Sequence, residues 1–331
     1  MERTDGFERL ASVIGNKSNN IMNLPLRGAL AALVTPIDDL GRPDLDAFDQ
    51  VIDFIAERGM DGVVIGGATG EYAHFDIDDR LQMAAHAVKR FDGRIKVLTS
   101  VGTSSIHSTL ELAGEAAQQG SDALLLPMPY FFRYEQEDLS AFCEHVCGSV
   151  DAPFLLYNLP GFTNPLEVDT AVELLKTLPN LIGMKDSSGQ KSHLAPLADA
   201  KRAQDFSLFV GDDSLLLSAA QAGWDGVISG IACFAPELIK AVYQSHHEGR
   251  AQEAARLQAM LDEIIDWVVL LPIPWVVRVG LEARGIPNGP MHLPLSPRRA
   301  TQMSDFREWF CRWTHGHGLP LDGIWSFGPV V

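Results

Sequence analysis

Eight short apolar runs interleaved with amphipathic stretches constrain this 331-residue chain more than any other feature of its sequence. The runs fall at 29–34, 62–65, 95–99, 123–126, 154–157, 181–184, 208–210 and 226–228. They are too short and too continuously apolar for half-exposed strands, so they read as strands buried on both faces of a parallel sheet. Helical patterns separate them at 45–57, 80–90, 108–119, 136–146, 168–175, 193–200, 214–222 and 236–245. Eight strand and helix pairs predict an α/β chain closed into a (β/α)8 barrel. A doubly wound sheet is the second choice, but no G-x-G-x-x-G follows the first run. Asp44, Asp76 and Ser104 or Ser108 suit helix N-caps, and Gly59, Gly93 and Gly120 suit helix ends.

The sequence divides into three parts. Residues 1–24 lack periodicity and read as an N-terminal extension, 25–245 as the barrel, and 246–331 as a C-terminal helical extension packed on it. In the last part, 251–269, 274–283 and 297–313 read as helices. The stretch 267–277 is too apolar for a surface helix, so the barrel or another subunit is expected to bury it.

A formal charge of −17 with no local basic stripe argues against nucleic acid as a partner and for a small metabolite. Four cysteines at this length do not make a disulfide framework, which favours a reducing, cytoplasmic setting. Cys143 and Cys147 share a helix face and read as packing. His246, His247, His315 and His317 lack the spacing of a zinc module, so no metal is expected. No signal-type segment and no 18-residue apolar span is present, so no membrane role is expected either.

The chemistry concentrates where apolar runs turn polar, which in a barrel is where the site is built. The segment 181–189, LIGMKDSSG, delivers Lys185 at the end of an apolar approach. An amine attacks a carbonyl only when neutral, and burial favours the neutral form, so Lys185 is the expected Schiff-base nucleophile. Tyr157, at the end of the fifth run, could relay protons to the adduct. After the second run come Gly67, Ala68, Thr69, Gly70 and Glu71, a glycine-rich turn whose N–H groups and hydroxyl suit a carboxylate. The segment 127–132, PMPYFF, is aromatic and uncharged, and would line a pocket or an interface.

Together, G-x-x-G-E, P-Y, Y-N-x-P and G-x-K-[DE]-[ST]-[ST]-G in this order resemble the dihydrodipicolinate synthase and N-acetylneuraminate lyase family. The likeness covers about 27–310 and includes 209–213, FVGDD, and 223–230, GWDGVISG. It implies that Lys185 forms an imine with pyruvate or a related 2-oxo acid, that Tyr157 shuttles protons, and that no cofactor is needed. It implies that Ala68 and Thr69 hold the carboxylate, with Ser187, Gly211 and Ser229 also lining the substrate, and that the chain forms a homo-oligomer, a tetramer or dimer. Three positions depart from the synthases: Ala68 stands for a Thr, Phe131 for a Tyr and Phe162 for an Arg. Two relay hydroxyls and a bidentate anion clamp are thereby lost. The expected function is a Schiff-base lyase, an aldolase or dehydratase acting on a 2-oxo acid and an aldehyde. The alternatives are dihydrodipicolinate synthase itself or a barrel that binds a 2-oxo acid without turnover.

Overall fold

In the computed structural model, residues 26–327 are described. The extension expected at 1–24 lies outside them. Eight parallel strands pair in chain order and close into a barrel, β1 against β8. They are β1 Gly28–Ala32, β2 Gly62–Ile65, β3 Lys96–Ser100, β4 Ala123–Pro127, β5 Phe154–Asn158, β6 Leu181–Asp186, β7 Ser207–Val210 and β8 Gly226–Ser229. The outer ring is α1 Leu45–Glu57, α2 Ile77–Phe91, α3 Ile106–Gln118, α4 Gln136–Ser149, α5 Val168–Thr177, α6 Leu194–Ala203, α7 Leu216–Gln221 and α8 Pro236–His247. Then come α9 Ala251–Val268, α10 Ile273–Ala283 and α11 Pro297–Gly316.

Side chains alternate across each strand, so the apolar runs feed two cores. Residues such as Ala31, Val63, Leu124, Leu156, Met184 and Leu208 face the helices. Leu30, Val64, Leu98, Leu125, Leu155, Phe209 and Ile228 fill the barrel interior. Parallel pairing puts Tyr157 beside Lys185 and Lys185 beside Phe209, so all three point the same way, inward. Phe209 belongs to the interior core, and Gly226 makes room for it: a Cβ there would lie 2.8 Å from the ring.

The expected caps at Asp44 and Asp76 accept backbone N–H groups at the starts of α1 and α2. The third cap is Ser105, not Ser104 or Ser108, because it is Ser105 that sits extended one residue before α3 and faces the Ser108 N–H. Strand β6 continues two residues past the apolar run, through Lys185 and Asp186, because both find ladder partners on β5 and β7. The seventh helical stretch is split into a 3-10 turn, Asp213–Leu215, and α7. The 267–277 stretch is not one buried segment either: a turn with exposed Val269 and Leu270 divides it, while Val276 and Val277 are buried. Helices α9 and α10 meet there at a bend of 117°, and no single described helix is long and apolar enough to cross a membrane.

The C-terminal helices are fastened by two buried arginines. Arg284 pairs with Glu237 at 3.0 Å and donates to the carbonyls of Phe234 and Leu321. Arg278 pairs with Glu71 at 3.0 Å and donates to the carbonyls of Asn288 and Pro290. Helix α10 and the segment after it are thus tied to the loop that follows β2.

Candidate active site

At the carboxyl ends of β5 and β6 the Lys185 Nζ donates to the Tyr157 Oη at 3.1 Å, with both side chains buried. The ladder pair Tyr157–Lys185 fixes this approach, and the next pair, Asn158–Asp186, locks it. Asn158 Nδ2 donates to Asp186 Oδ1 at 2.9 Å, while its own Oδ1 accepts from the Leu166 N–H. The other Asp186 oxygen takes Ser188 Oγ at 2.9 Å and His193 Nδ1 at 3.0 Å. A one-residue slip would turn Lys185 out of the barrel, so this lateral bonding holds the nucleophile in place.

Gly211, at the end of β7, carries the Lys185 stem. A Cβ there would lie 2.6 Å from Lys185 Cε and 1.9 Å from Ser187 Oγ, so only glycine leaves the space open. The Ser187 Oγ is buried without a partner. Ser229, fully buried at the end of β8, accepts from the Ala232 N–H at 3.0 Å.

Gly67, Ala68, Thr69 and Gly70 form the turn after β2. Thr69 is buried against Gly230, where a Cβ would lie 2.9 Å from its Oγ1, and the Gly70 carbonyl accepts from Thr35 Oγ1. Ala68 packs on the barrel-interior core. Glu71 is placed differently from the expectation. Its backbone takes a positive φ of 55° and its carboxylate is spent on Arg278, so it shapes the turn from outside. Phe131 and Phe162, which stand where the synthases have a Tyr and an Arg, are in solvent, 88% and 61% exposed. Their two loops are pinned together by Asn164, which donates to the Pro129 and Phe132 carbonyls.

Two groups were not singled out from the sequence. Beside the β2 turn, Arg80 is buried under the Tyr72 ring and donates to the carbonyls of Ser100 and Gly102, and burial lowers its pKa to about 10. Burial likewise raises Tyr72, which meets Tyr130 edge-on. Asp213 opens the 3-10 turn after β7. Its pKa is pushed up to about 7, chiefly by burial, against the pull of Ser229 and Lys185. The Gly-Asp-Asp motif gave a signal for it, but only the structure distinguishes the two: Asp212 Oδ1 accepts from Ser214, whereas Asp213 Oδ1 is sealed without a partner.

Fold and site define an enzyme of the lyase class, a (β/α)8 barrel whose inward lysine and phenol meet at the ends of adjacent strands. Residues 25–309 match the model of the dihydrodipicolinate synthetase family, and the chain belongs to that family. It is 35% identical over 286 residues to the 4-hydroxy-tetrahydrodipicolinate synthase of Laribacter hongkongensis, covering 85% of this chain and 94% of that one. Among solved structures it resembles dihydrodipicolinate synthase from Aquifex aeolicus, with TM-score 0.82 and 27% identity over 90% of this chain and 100% of the other. It also resembles YagE, a prophage protein of this family from E. coli K12 solved with pyruvate, with TM-score 0.82 and 26% identity over 87% and 99% of the two chains.

Proposed function

We propose that this protein is a Schiff-base lyase that binds pyruvate or a related 2-oxo acid through Lys185 and makes or breaks a bond beyond it. The observation that carries this is the buried 3.1 Å contact between Lys185 Nζ and Tyr157 Oη. The neutral amine adds to the C2 carbonyl and the adduct oxygen gains a proton. Water then leaves as the C=N bond forms. Tyr157 touches the nitrogen and is the group in reach to move protons in these steps. The N–H groups and Thr69 of the 67–70 turn, with Ser187, Gly211 and Ser229, line the same end of the barrel and are assigned to the 2-oxo acid. The chemistry calls for no cofactor, because the imine itself is the electron sink. Incubation with pyruvate and borohydride tests the assignment. A stable mass gain on the wild type and none on Lys185→Ala is the expected result, and equal gain on both contradicts it.

The second substrate is proposed to be an aldehyde, free or as part of a deoxy-2-oxo acid, without a second carboxylate. Ala68 puts a methyl where the synthases have a hydroxyl, no arginine stands at Phe162, whose ring like that of Phe131 lies in solvent, and the cations on neighbouring loops, Arg133 and Lys191, are exposed. A second carboxylate would find no bidentate cation among Ala68, Phe131 and Phe162. The 35% identity to a 4-hydroxy-tetrahydrodipicolinate synthase favours the second possibility, aspartate semialdehyde as acceptor. Values of kcat/KM for that aldehyde, for uncharged aldehydes and for 2-keto-3-deoxy acids separate the two. A tenfold advantage for aspartate semialdehyde establishes the synthase.

A further inference from the structure

The amine of Lys185 carries the substrate and the phenol of Tyr157 moves protons beside it, so the second task depends on the 3.1 Å between them. The ends of β5 and β6 set that distance. Tyr157–Lys185 is the ladder pair next to the last, and Asn158–Asp186 is the last. Whatever holds the Asp186 side chain therefore holds the relay against the nucleophile.

Asp186 is buried and both its oxygens are taken. Oδ1 accepts from Asn158 Nδ2 at 2.9 Å and from the Ser188 N–H at 3.1 Å. Oδ2 accepts from Ser188 Oγ at 2.9 Å and from His193 Nδ1 at 3.0 Å. A carboxylate only accepts, so this contact fixes the His193 tautomer with a hydrogen on Nδ1. His193 closes the 3-10 turn Lys191–His193 ahead of α6, and its imidazole is 14% exposed. It reaches back to Asp186 because the loop turns at Gly189, at a φ of 69°, where a Cβ would lie 2.7 Å from Asp212 Oδ2. The Asp186 carbonyl accepts from the Gly211 N–H at 2.8 Å, so the same residue braces the glycine that gives the Lys185 stem its space.

We propose that His193 is a positioning residue for the proton relay: it anchors Asp186, and through the Asp186–Asn158 bond it keeps Tyr157 Oη against Lys185 Nζ. This rests on the imine reading given above. His193 acts through Asp186 and is assigned no contact with the substrate. Lys185 keeps its own place without the anchor, since the ladder holds that residue on both sides, to Tyr157 on β5 and to Phe209 on β7. Loss of the anchor therefore acts on proton transfer rather than on the adduct.

The test uses the full chain with pyruvate as the probe. Borohydride trapping, read by mass, reports the adduct. Exchange of the pyruvate methyl hydrogens for deuterium in D2O, followed by proton NMR, reports the relay: the iminium loses a C3 proton to give the enamine and regains a deuteron from solvent. His193→Leu is expected to trap pyruvate to the wild-type extent and to exchange slower by about tenfold or more. His193→Asn, whose amide N–H stands near the place of Nδ1, recovers most of that rate. In a Tyr157→Phe background His193→Leu costs no more than twofold further, because the contact it protects is already gone. A Leu variant within twofold of wild type overturns the proposal, as does an Asn variant no faster than Leu. So does an equal loss with and without the Tyr157 hydroxyl, which is what a merely structural role gives. If His193→Leu does not fold, Ser188→Ala removes the other side-chain donor to the same oxygen and carries the same expectation in both backgrounds. A wild type that traps pyruvate but exchanges no deuterium removes the relay and this inference while the imine stands. A wild type that traps no pyruvate overturns the Schiff-base reading itself.

Discussion

At the residue scale the site separates nucleophile from proton handling. Lys185 needs burial and a carbonyl within reach, and Tyr157 Oη needs only to stay 3.1 Å from the nitrogen. Tyr157→Phe is therefore expected to keep the borohydride-trapped adduct and to cut turnover by about 10² or more, because the ring is retained and the relay is lost. Unchanged kcat would remove the tyrosine from the chemistry. Asp213 makes a second residue-scale prediction, about stability. Its carboxyl titrates near 7 in the fold against an ordinary 3.8, so between those values the folded protein holds a proton that the unfolded chain has lost. Stability therefore falls as pH rises through that window, and the cost is fully present above it. Asp213→Asn removes the titration. Its melting temperature should exceed the wild type's at pH 8, and the gap should shrink towards pH 4. Equal melting at pH 8 would contradict this.

Elements carry the precision of the site. The ends of β5 and β6 are joined by the Asn158–Asp186 hydrogen bond one residue beyond the Tyr157–Lys185 pair, so register is set next to the chemistry. The loop after β2 is set from the other direction, by Arg278 on α10, which is fully buried and pairs with Glu71 from 207 residues away. Arg278→Met should leave a buried carboxylate unpaired and destabilise by about 3–5 kcal/mol, measured by denaturant unfolding. Adding Glu71→Gln should recover part of the loss, because the orphaned charge goes. A double variant no more stable than Arg278→Met would show that the carbonyl bonds of Arg278, rather than its charge pair, hold the C-terminal segment.

At the scale of the whole molecule, the apolar groups left in solvent include two sets: Phe131, Phe132 and Phe162 on the loops after β4 and β5, and Val269, Leu270 and Ile273 at the bend between α9 and α10. A chain that keeps such groups exposed is expected to associate with copies of itself. Sedimentation at micromolar concentration should show an assembly larger than the 36.1 kDa chain, and a monomer would contradict it.

The sequence by itself determined the barrel, because short continuous apolar runs and amphipathic stretches at period 3.6, eight of each in alternation, are signals that each strand and helix carries alone. It also determined that Lys185 and Tyr157 share a site, since both close apolar runs of consecutive strands. What only the tertiary structure decided lies with groups whose partners come from elsewhere in the chain. Glu71 stands beside Thr69 and Gly70, yet its carboxylate belongs to Arg278. Asp212 and Asp213 are alike in sequence, but Asp212 Oδ1 accepts from Ser214 while Asp213 Oδ1 is sealed without a partner, because desolvation and hydrogen bonding depend on everything packed around a carboxyl. The segment 127–132 reads as lining a pocket or an interface, and in the structure the Phe131 ring, like that of Phe162, stands in solvent. Pattern along the chain fixes which way a side chain points, while its charge state and neighbours follow from contacts that no local pattern encodes.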